Sequence, residues 1–211
     1  MPDLYHSERQ AILTQALKHA PFEGWTPSML EHAARDAGYQ PFDTQRFLSG
    51  GIAELLAYFS SESDAQMAQD AGSLSLASMK VHHRIMAIIS ARLKRNLVHR
   101  EAIRRAMAYY ALPLNAPSGM QVLYKTLDEI WYLAGDTSTD FNFYTKRALL
   151  APVFTSTVLF WLDDKSEDQK DTLAFLERRL KDVLKIQTFR KSVEATVSEF
   201  MKSPFGFLKR K

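Results

Sequence analysis

Over residues 77–96 the side chains of Val81, Ile85, Ile88, Ile89 and Leu93 return every three or four positions, while Arg84, Arg92, Lys94 and Arg95 fall on the other side. That period places the apolar set on one face of an α-helix and is incompatible with the two-residue period of a strand. Helical spacing recurs along the chain. Residues 7–20 put Ile12, Ala16 and His19–Ala20 on one stripe, with Leu13 and Leu17 beside it. Gly24-Trp25-Thr26-Pro27 reads as a turn and a helix start, with Thr26 as cap and Pro27 in the first helical position. That helix runs to about Ala37 and ends at Gly38. A short segment near 43–48 and a longer helix over 52–69 follow, then helices over 99–111, 118–134, 141–162, 168–186 and 189–202. Pro152 falls inside the 141–162 segment and predicts a kink. No alternating β-branched run and no long-period repeat are found, so the chain reads as all-α, with about nine or ten helices.

At 211 residues, one domain or one domain with a small appendage is expected. With no cysteine, disulfides and thiolate metal sites are excluded, in keeping with a reducing compartment. The opening MPDLYHSERQ has no basic segment leading into an apolar run, and its early Asp3 and Glu8 argue against a transit peptide. No apolar run approaches the roughly 20 residues needed to span a bilayer. The formal charge of +3 conceals an asymmetry. Residues 1–64 hold nine acids against four bases, and residues 176–211 hold ten bases against four acids. An acidic head and a basic tail imply different partners.

The first 60 or so residues have the outline of a helix-turn-helix module followed by a larger helical body. In DNA-binding versions the third helix enters the major groove and cations hold phosphates. Here the matching segment, Tyr39 to Phe47, carries one arginine and one aspartate in a module of net charge −5. We read a relic that has lost DNA binding. No HExxH, nucleophile elbow, P-loop or dinucleotide-binding glycine motif occurs. His82 and His83, being adjacent, are expected on different helix faces and not as a ligand pair. Asp128 and Glu129 diverge for the same reason, and Asp163 and Asp164 are read as solvated residues closing a helix. Neither an enzyme nor a metal or cofactor site is expected.

Residues 128–147, DEIWYLAGDTSTDFNFYTKR, gather Trp131, Tyr132, Phe141, Phe143 and Tyr144 around a polar break. The residues from Asp136 to Asp140 suit the start of the next helix, with Asp140 at its positive end. Phe143 and Tyr144 fall on adjacent faces of one turn, so at least one should reach the surface, as aromatics at protein interfaces do. In the tail, Phe189, Val193, Val197, Phe200 and Met201 recur at helical spacing, and Phe205, Phe207 and Leu208 precede three terminal cations. That combination suits an anionic membrane surface; the alternative is a core-packing helix with a basic solubilising end.

WYLAGDTSTDFNFYTKRALLA, the turn after Trp161-Leu162-Asp163-Asp164, the segment Phe175 to Leu180, and the earlier Gly24-Trp25-Thr26 and Asn115-Ala116-Pro117 resemble a known family. It is that of the helical lipid-binding accessory proteins of ubiquinone (coenzyme Q) biosynthesis, a branch of the TetR-like fold. The resemblance implies a non-enzymatic protein that holds an isoprenoid quinone or other lipid in a hydrophobic cavity, docks on a membrane surface by a C-terminal amphipathic helix, and assists the demethoxyubiquinone hydroxylase. By motif position, its partner-docking patch falls on Asp128, Ile130, Asp140, Phe143, Tyr144 and Arg147. Phe143 stands where the family commonly has tryptophan, and Ile130 where it has methionine. For the cavity, helical phase nominates Ile85, Ile89, Leu93, Leu127, Trp131, Phe154 and Val158, for each of which plain core is the alternative. The expected organisation is a module over 1–64, a lipid-binding and docking body over 65–187, and a membrane-associating tail over 188–211. A homodimer is expected from the fold, as is a bacterial cytoplasmic protein peripheral to the inner membrane, or a matrix-side protein if processed. The alternative function is a TetR-type regulator with a hydrophobic effector.

Overall fold

The computed structural model describes residues 4–139 and 141–183. Among them all regular structure is helical: α1 (His6–Glu23), α2 (Pro27–Asp36), the single turn α3 (Thr44–Phe47), α4 (Gly51–Gly72), α5 (Val81–Arg95), α6 (Arg100–Tyr110), α7 (Ala116–Leu133), α8 (Phe141–Asp163) and α9 (170–183). The helix expected over 189–202 lies outside the described residues. Among the described residues no helix is long and apolar enough to cross a membrane.

The expected boundaries hold where caps set them. Thr26 accepts a hydrogen bond from the Met29 backbone N–H at 3.1 Å, and Pro27 opens α2. Gly24, at φ 72° and ψ 179°, takes an extended positive-φ conformation that suits glycine, and α1 ends there. Two prolines lie inside helices. The first helix was expected to stop near residue 20, yet α1 continues through Pro21 to Glu23, and α8 passes through Pro152 as one helix. Around Pro152, Leu150, Val153, Phe154, Val158 and Trp161 are all buried, and that packing holds the helix together.

Apolar side chains form two clusters. The first joins α1, α2, α3 and the early part of α4 to Ala102 and Ala106 of α6. Trp25 links the turn to the body by donating from Nε1 to the Ala102 carbonyl at 2.9 Å and stacking near Phe59. The second joins Met67 and Ala71 of late α4 to α5, α7, α8 and α9. The boundary expected between residues 64 and 65 therefore falls inside an unbroken helix, and α4 contributes to both cores.

Where the two halves of α4 meet, charge is buried. The Arg92 guanidinium lies 3.1 Å from Asp64 and donates to Ser60 Oγ at 3.0 Å, and Thr126 Oγ1 donates to Asp64 at 2.9 Å. Burial raises the Asp64 carboxyl above its ordinary range, with Arg92 and Thr126 opposing it, and lowers the Arg92 guanidinium. Arg92 thus departs from the solvent face expected for it. Arg84 does too: its guanidinium donates to the carbonyls of Met79 (2.9 Å), Ala134 (3.1 Å) and Ala77 (3.2 Å). It closes the C-terminus of α7 and pins the chain before α5.

Asp164 also corrects expectation. It is buried, not solvated, and accepts from the backbone N–H groups of Ser166 (2.7 Å) and Thr172 (2.9 Å) and from Thr172 Oγ1. Burial pushes its carboxyl up, but these donors outweigh it and hold the group at about 2. Asp163, beside it, is exposed and pairs with Arg104 at 2.8 Å.

Arg92→Ala, which leaves Asp64 buried without its partner, should cost about 3–5 kcal/mol in urea unfolding, and Arg92→Met with Asp64→Leu should recover much of it. Asp164 has a depressed carboxyl, so its contribution is complete above its ordinary 3.8 and is lost as pH falls towards about 2. Asp164→Asn should flatten the stability-versus-pH curve in that window and leave its shape above pH ~5 unchanged.

Candidate functional site

α7 ends in the turn Ala134-Gly135-Asp136, and the chain re-enters as α8. Gly135 sits at φ 85°, and a Cβ there would come within 3.1 Å of the Arg84 guanidinium that caps α7, so this turn requires glycine. Asp136 follows with its side chain only 3% exposed. It accepts from Ser138 N–H (3.2 Å) and Ser138 Oγ (2.8 Å), and from Lys146 Nζ at 2.6 Å. Arg147 approaches its other oxygen at 3.5 Å. Burial pushes Asp136 up, but the Lys146 and Ser138 donors win and hold its carboxyl below the usual range.

Arg147 is buried, and both its Nε (2.8 Å) and its terminal nitrogen donate to Asp128, one α-helix away. Its guanidinium lies over the Phe143 ring, 3.3 Å from the centroid, and donates to the Phe143 carbonyl at 2.9 Å. The Phe143 and Tyr144 rings meet edge to face at 5.2 Å. Phe143 is half-buried under the arginine, and Tyr144 is 64% exposed.

Four residues expected in the docking patch are therefore assembled: Asp128, Phe143, Tyr144 and Arg147. Asp140 lies outside the described residues. Ile130 is corrected. It is 0% exposed and belongs to the second core, because two helical residues turn it about 200° away from Asp128. The residue one turn on from Asp128 is Tyr132, which is 71% exposed and was not assigned a role. Asp136, expected at a helix start, closes a side-chain turn on Ser138, for which an Asp two residues before a Ser is the sequence signal.

On the inner side of the same turn lies a cavity of about 260 Å³. Its wall comes from Val81, His82 and Ile85 of α5, Trp131 of α7, Lys146, Leu149, Leu150 and Val153 of α8, and Leu180 and Val183 of α9. Ile85 and Trp131 are where helical phase put them. The other nominees, Ile89, Leu93, Leu127, Phe154 and Val158, pack into the second core and do not line the cavity. Phase identified the inward face but not the depth: α5 contributes its first turns to the cavity and its middle to the core. Val81, exposed by residue, is on the rim.

His82 and His83 do not diverge as expected; their rings lie 4.1 Å apart, tilted by 56°. Burial lowers His82, reinforced by His83 and Lys80. Among the described residues no group of three or more histidines and carboxylates is placed to hold a metal ion. The residues expected to meet a membrane, Phe189, Val193, Val197, Phe200, Met201, Phe205, Phe207 and Leu208, lie outside the described residues. In the acidic module, the matching segment for a recognition helix is a 3-10 turn and α3, and Arg46 there is engaged by Tyr5, donating to its hydroxyl at 3.1 Å.

This arrangement of helices is that of TetR-like proteins. The chain superposes on a TetR transcriptional regulator from Nitrosomonas europaea with a TM-score of 0.66, over 83% of this chain and 97% of that one. The two share 19% identity, so the likeness is one of fold. Sequence gives the particular family. The COQ9 family profile matches residues 116–187, the stretch that carries the turn, the patch and most of the cavity wall. The mitochondrial ubiquinone biosynthesis protein COQ9 of Homo sapiens is 32% identical over 212 residues, spanning 96% of this chain and 66% of that protein. The Rattus norvegicus protein of the same name is 32% identical across 96% of this chain and 68% of its own length. The chain belongs to the COQ9 family, and it spans about two thirds of the length of these relatives.

Arg147→Ala should cost about 1.5–3 kcal/mol of stability, since it removes the charge-assisted hydrogen bonds to Asp128 and to the Phe143 carbonyl. Tyr144→Ala should stay within about 0.5 kcal/mol of wild type, because the ring is mostly in solvent. Thermal unfolding of both variants measures the contrast.

Proposed function

We propose that the protein acts in ubiquinone biosynthesis as a non-enzymatic accessory protein, holding part of an isoprenoid quinone precursor in the α5–α7–α8–α9 cavity. On this reading, the Asp128–Tyr144 surface docks the demethoxyubiquinone hydroxylase, and the basic tail associates with the membrane. The observation that carries it is a juxtaposition: a mostly apolar cavity and an exposed aromatic patch share α7, α8 and the turn between them, inside the residues the family profile covers. The physical need is extraction. Each methylene of a polyprenyl chain costs about 0.8 kcal/mol to expose to water, so a protein that draws such a lipid towards an enzyme must replace the bilayer with its own apolar wall. At about 260 Å³ the cavity lies below the usual range of roughly 300–1,000 Å³ for small-molecule sites, which suits a ring or a few isoprene units and not a whole tail. Membership of the COQ9 family, whose human and rat members are named for ubiquinone biosynthesis, supports the pathway. A DNA-binding regulator is the poorer reading, because a module of net charge −5 repels phosphate.

Organic extraction of the purified protein followed by mass spectrometry should return a quinone or polyprenyl species at near-stoichiometric amount. Phe143→Glu with Tyr144→Glu should weaken hydroxylase capture by about 30-fold or more, as loss of central aromatic contacts does. Undiminished capture would sink the docking assignment.

A further inference from the structure

Between Asp70 and Glu101 lie thirty residues, 71–100, with no aspartate or glutamate and six lysines or arginines. Arg92 and Arg95 are answered by Asp64 and Asp70 of α4. Lys80 and Arg84 are not: among the described residues neither pairs with a carboxylate, and Arg84 donates to the carbonyls of Met79, Ala77 and Ala134. Both stand at the mouth of the cavity. Lys80 is exposed and directly precedes Val81 and His82 of the cavity wall, and Arg84 fastens the connection between α4 and α5 to the end of α7. That connection carries no charge from Ala71 to Met79. Leu74 within it is 36% exposed, and Val81 after it 49%. Its polar groups are largely satisfied from within. The N–H groups of Ser73, Leu74, Leu76, Ser78 and Met79 bond to carbonyls of the connection or of the last turn of α4. The hydroxyls of Ser73 and Ser78 donate to the carbonyls of Asp70 (2.6 Å) and Ser75 (2.8 Å). A segment whose polar groups are matched internally loses little when water is withdrawn from it, which is the condition for lying in the boundary layer of a bilayer. Exposed apolar side chains beside two uncompensated cations complement an anionic bilayer surface. Val81 belongs to this surface and to the cavity rim, so lipid leaving a bilayer docked here would reach the cavity wall without crossing water.

We propose that the connection between α4 and α5, with the first turn of α5, is a membrane contact separate from the basic tail: Leu74 and Val81 enter the headgroup layer of an anionic bilayer, Lys80 meets its phosphates, and the cavity mouth is held against it. This rests on the reading above that the cavity takes its occupant from a membrane, and adds which part of the helical body faces that membrane.

The chain has no cysteine, so a single introduced thiol can be labelled alone. Ser75→Cys places it in the connection. Val98→Cys places it at an equally open position (83% exposed) past the far end of α5, about 22 Å away along a helix of 15 residues. Each full-length variant is labelled with NBD, a dye that brightens and shifts to the blue on leaving water, and mixed with vesicles of equimolar phosphatidylcholine and phosphatidylglycerol. The probe at residue 75 should brighten, shift, and be quenched by bromine on the lipid acyl chains, while the probe at residue 98 stays as in buffer. Lys80→Gln, at a side chain with no partner to lose, should weaken vesicle binding about fivefold, the effect of one basic charge near an anionic surface. If the vesicles float the protein but the probe at 75 reports water, or the probes at 75 and 98 respond alike, the proposal is overturned while membrane association through the tail stands. Full affinity in Lys80→Gln would also overturn it. If the protein does not float with the vesicles at all, the membrane part of the functional reading falls and the proposal falls with it.

Discussion

The carboxylate of Asp136 is the constraint on which the α7–α8 end of this protein depends. One buried acid holds two consecutive cations of α8 that serve different surfaces: Lys146 on the cavity wall and Arg147 under the aromatic patch. Arg147 in turn ties α8 to the half-exposed Asp128 of α7 by charge-assisted hydrogen bonds. A buried ion pair contributes little net stability against an apolar replacement, but it penalises every arrangement that leaves a charge unmatched. Here that penalty specifies one geometry for the turn, and the cavity and the patch follow from it.

The same logic operates at the middle of α4. Two apolar clusters sharing a helix could slide or separate, since hydrophobic burial has no direction. Asp64, Arg92, Ser60 and Thr126 tie α4, α5 and α7 together with directed contacts at that point. The Trp25 bond to Ala102 does a similar service between the N-terminal module and α6. Together they make the helix-turn-helix-like module a continuous part of the body. Its third helix is a single turn, and Arg46 there donates to the Tyr5 hydroxyl.

A cavity at the edge of the second core is a local departure from dense packing. Interiors otherwise fill to crystal-like density, and an unfilled apolar space forfeits dispersion contacts. Among the described residues, the cavity lies between α5, α7, α8 and α9 at the edge of the second core.

Helical phase, caps and breakers were legible in the sequence. They gave the all-α class, the Thr26–Pro27 start of α2 and the inward faces of α5, α7 and α8, because these depend on residues within one or two turns of each other. The motif around residues 128–147 likewise carried the family, and Asp128, Phe143, Tyr144 and Arg147 within it lie together. What escaped was whatever depends on a distant partner. Arg84 and Arg92 look like solvent-facing cations until α7 and α4 supply a carbonyl and a carboxylate. Asp164 looks solvated until Thr172 folds back onto it. Ile130 and Tyr132 share one segment, yet only the packing of α8 and α5 decides which is core and which is surface. Depth within the body is likewise a tertiary property, which is why Ile85 and Trp131 meet the cavity while Ile89 and Leu127, on the same faces, are sealed in the core. Sequence by itself determined the helices, their buried faces and the family. The tertiary structure decided which buried residues are filled against and which are left facing a space, because that depends on where neighbouring helices end.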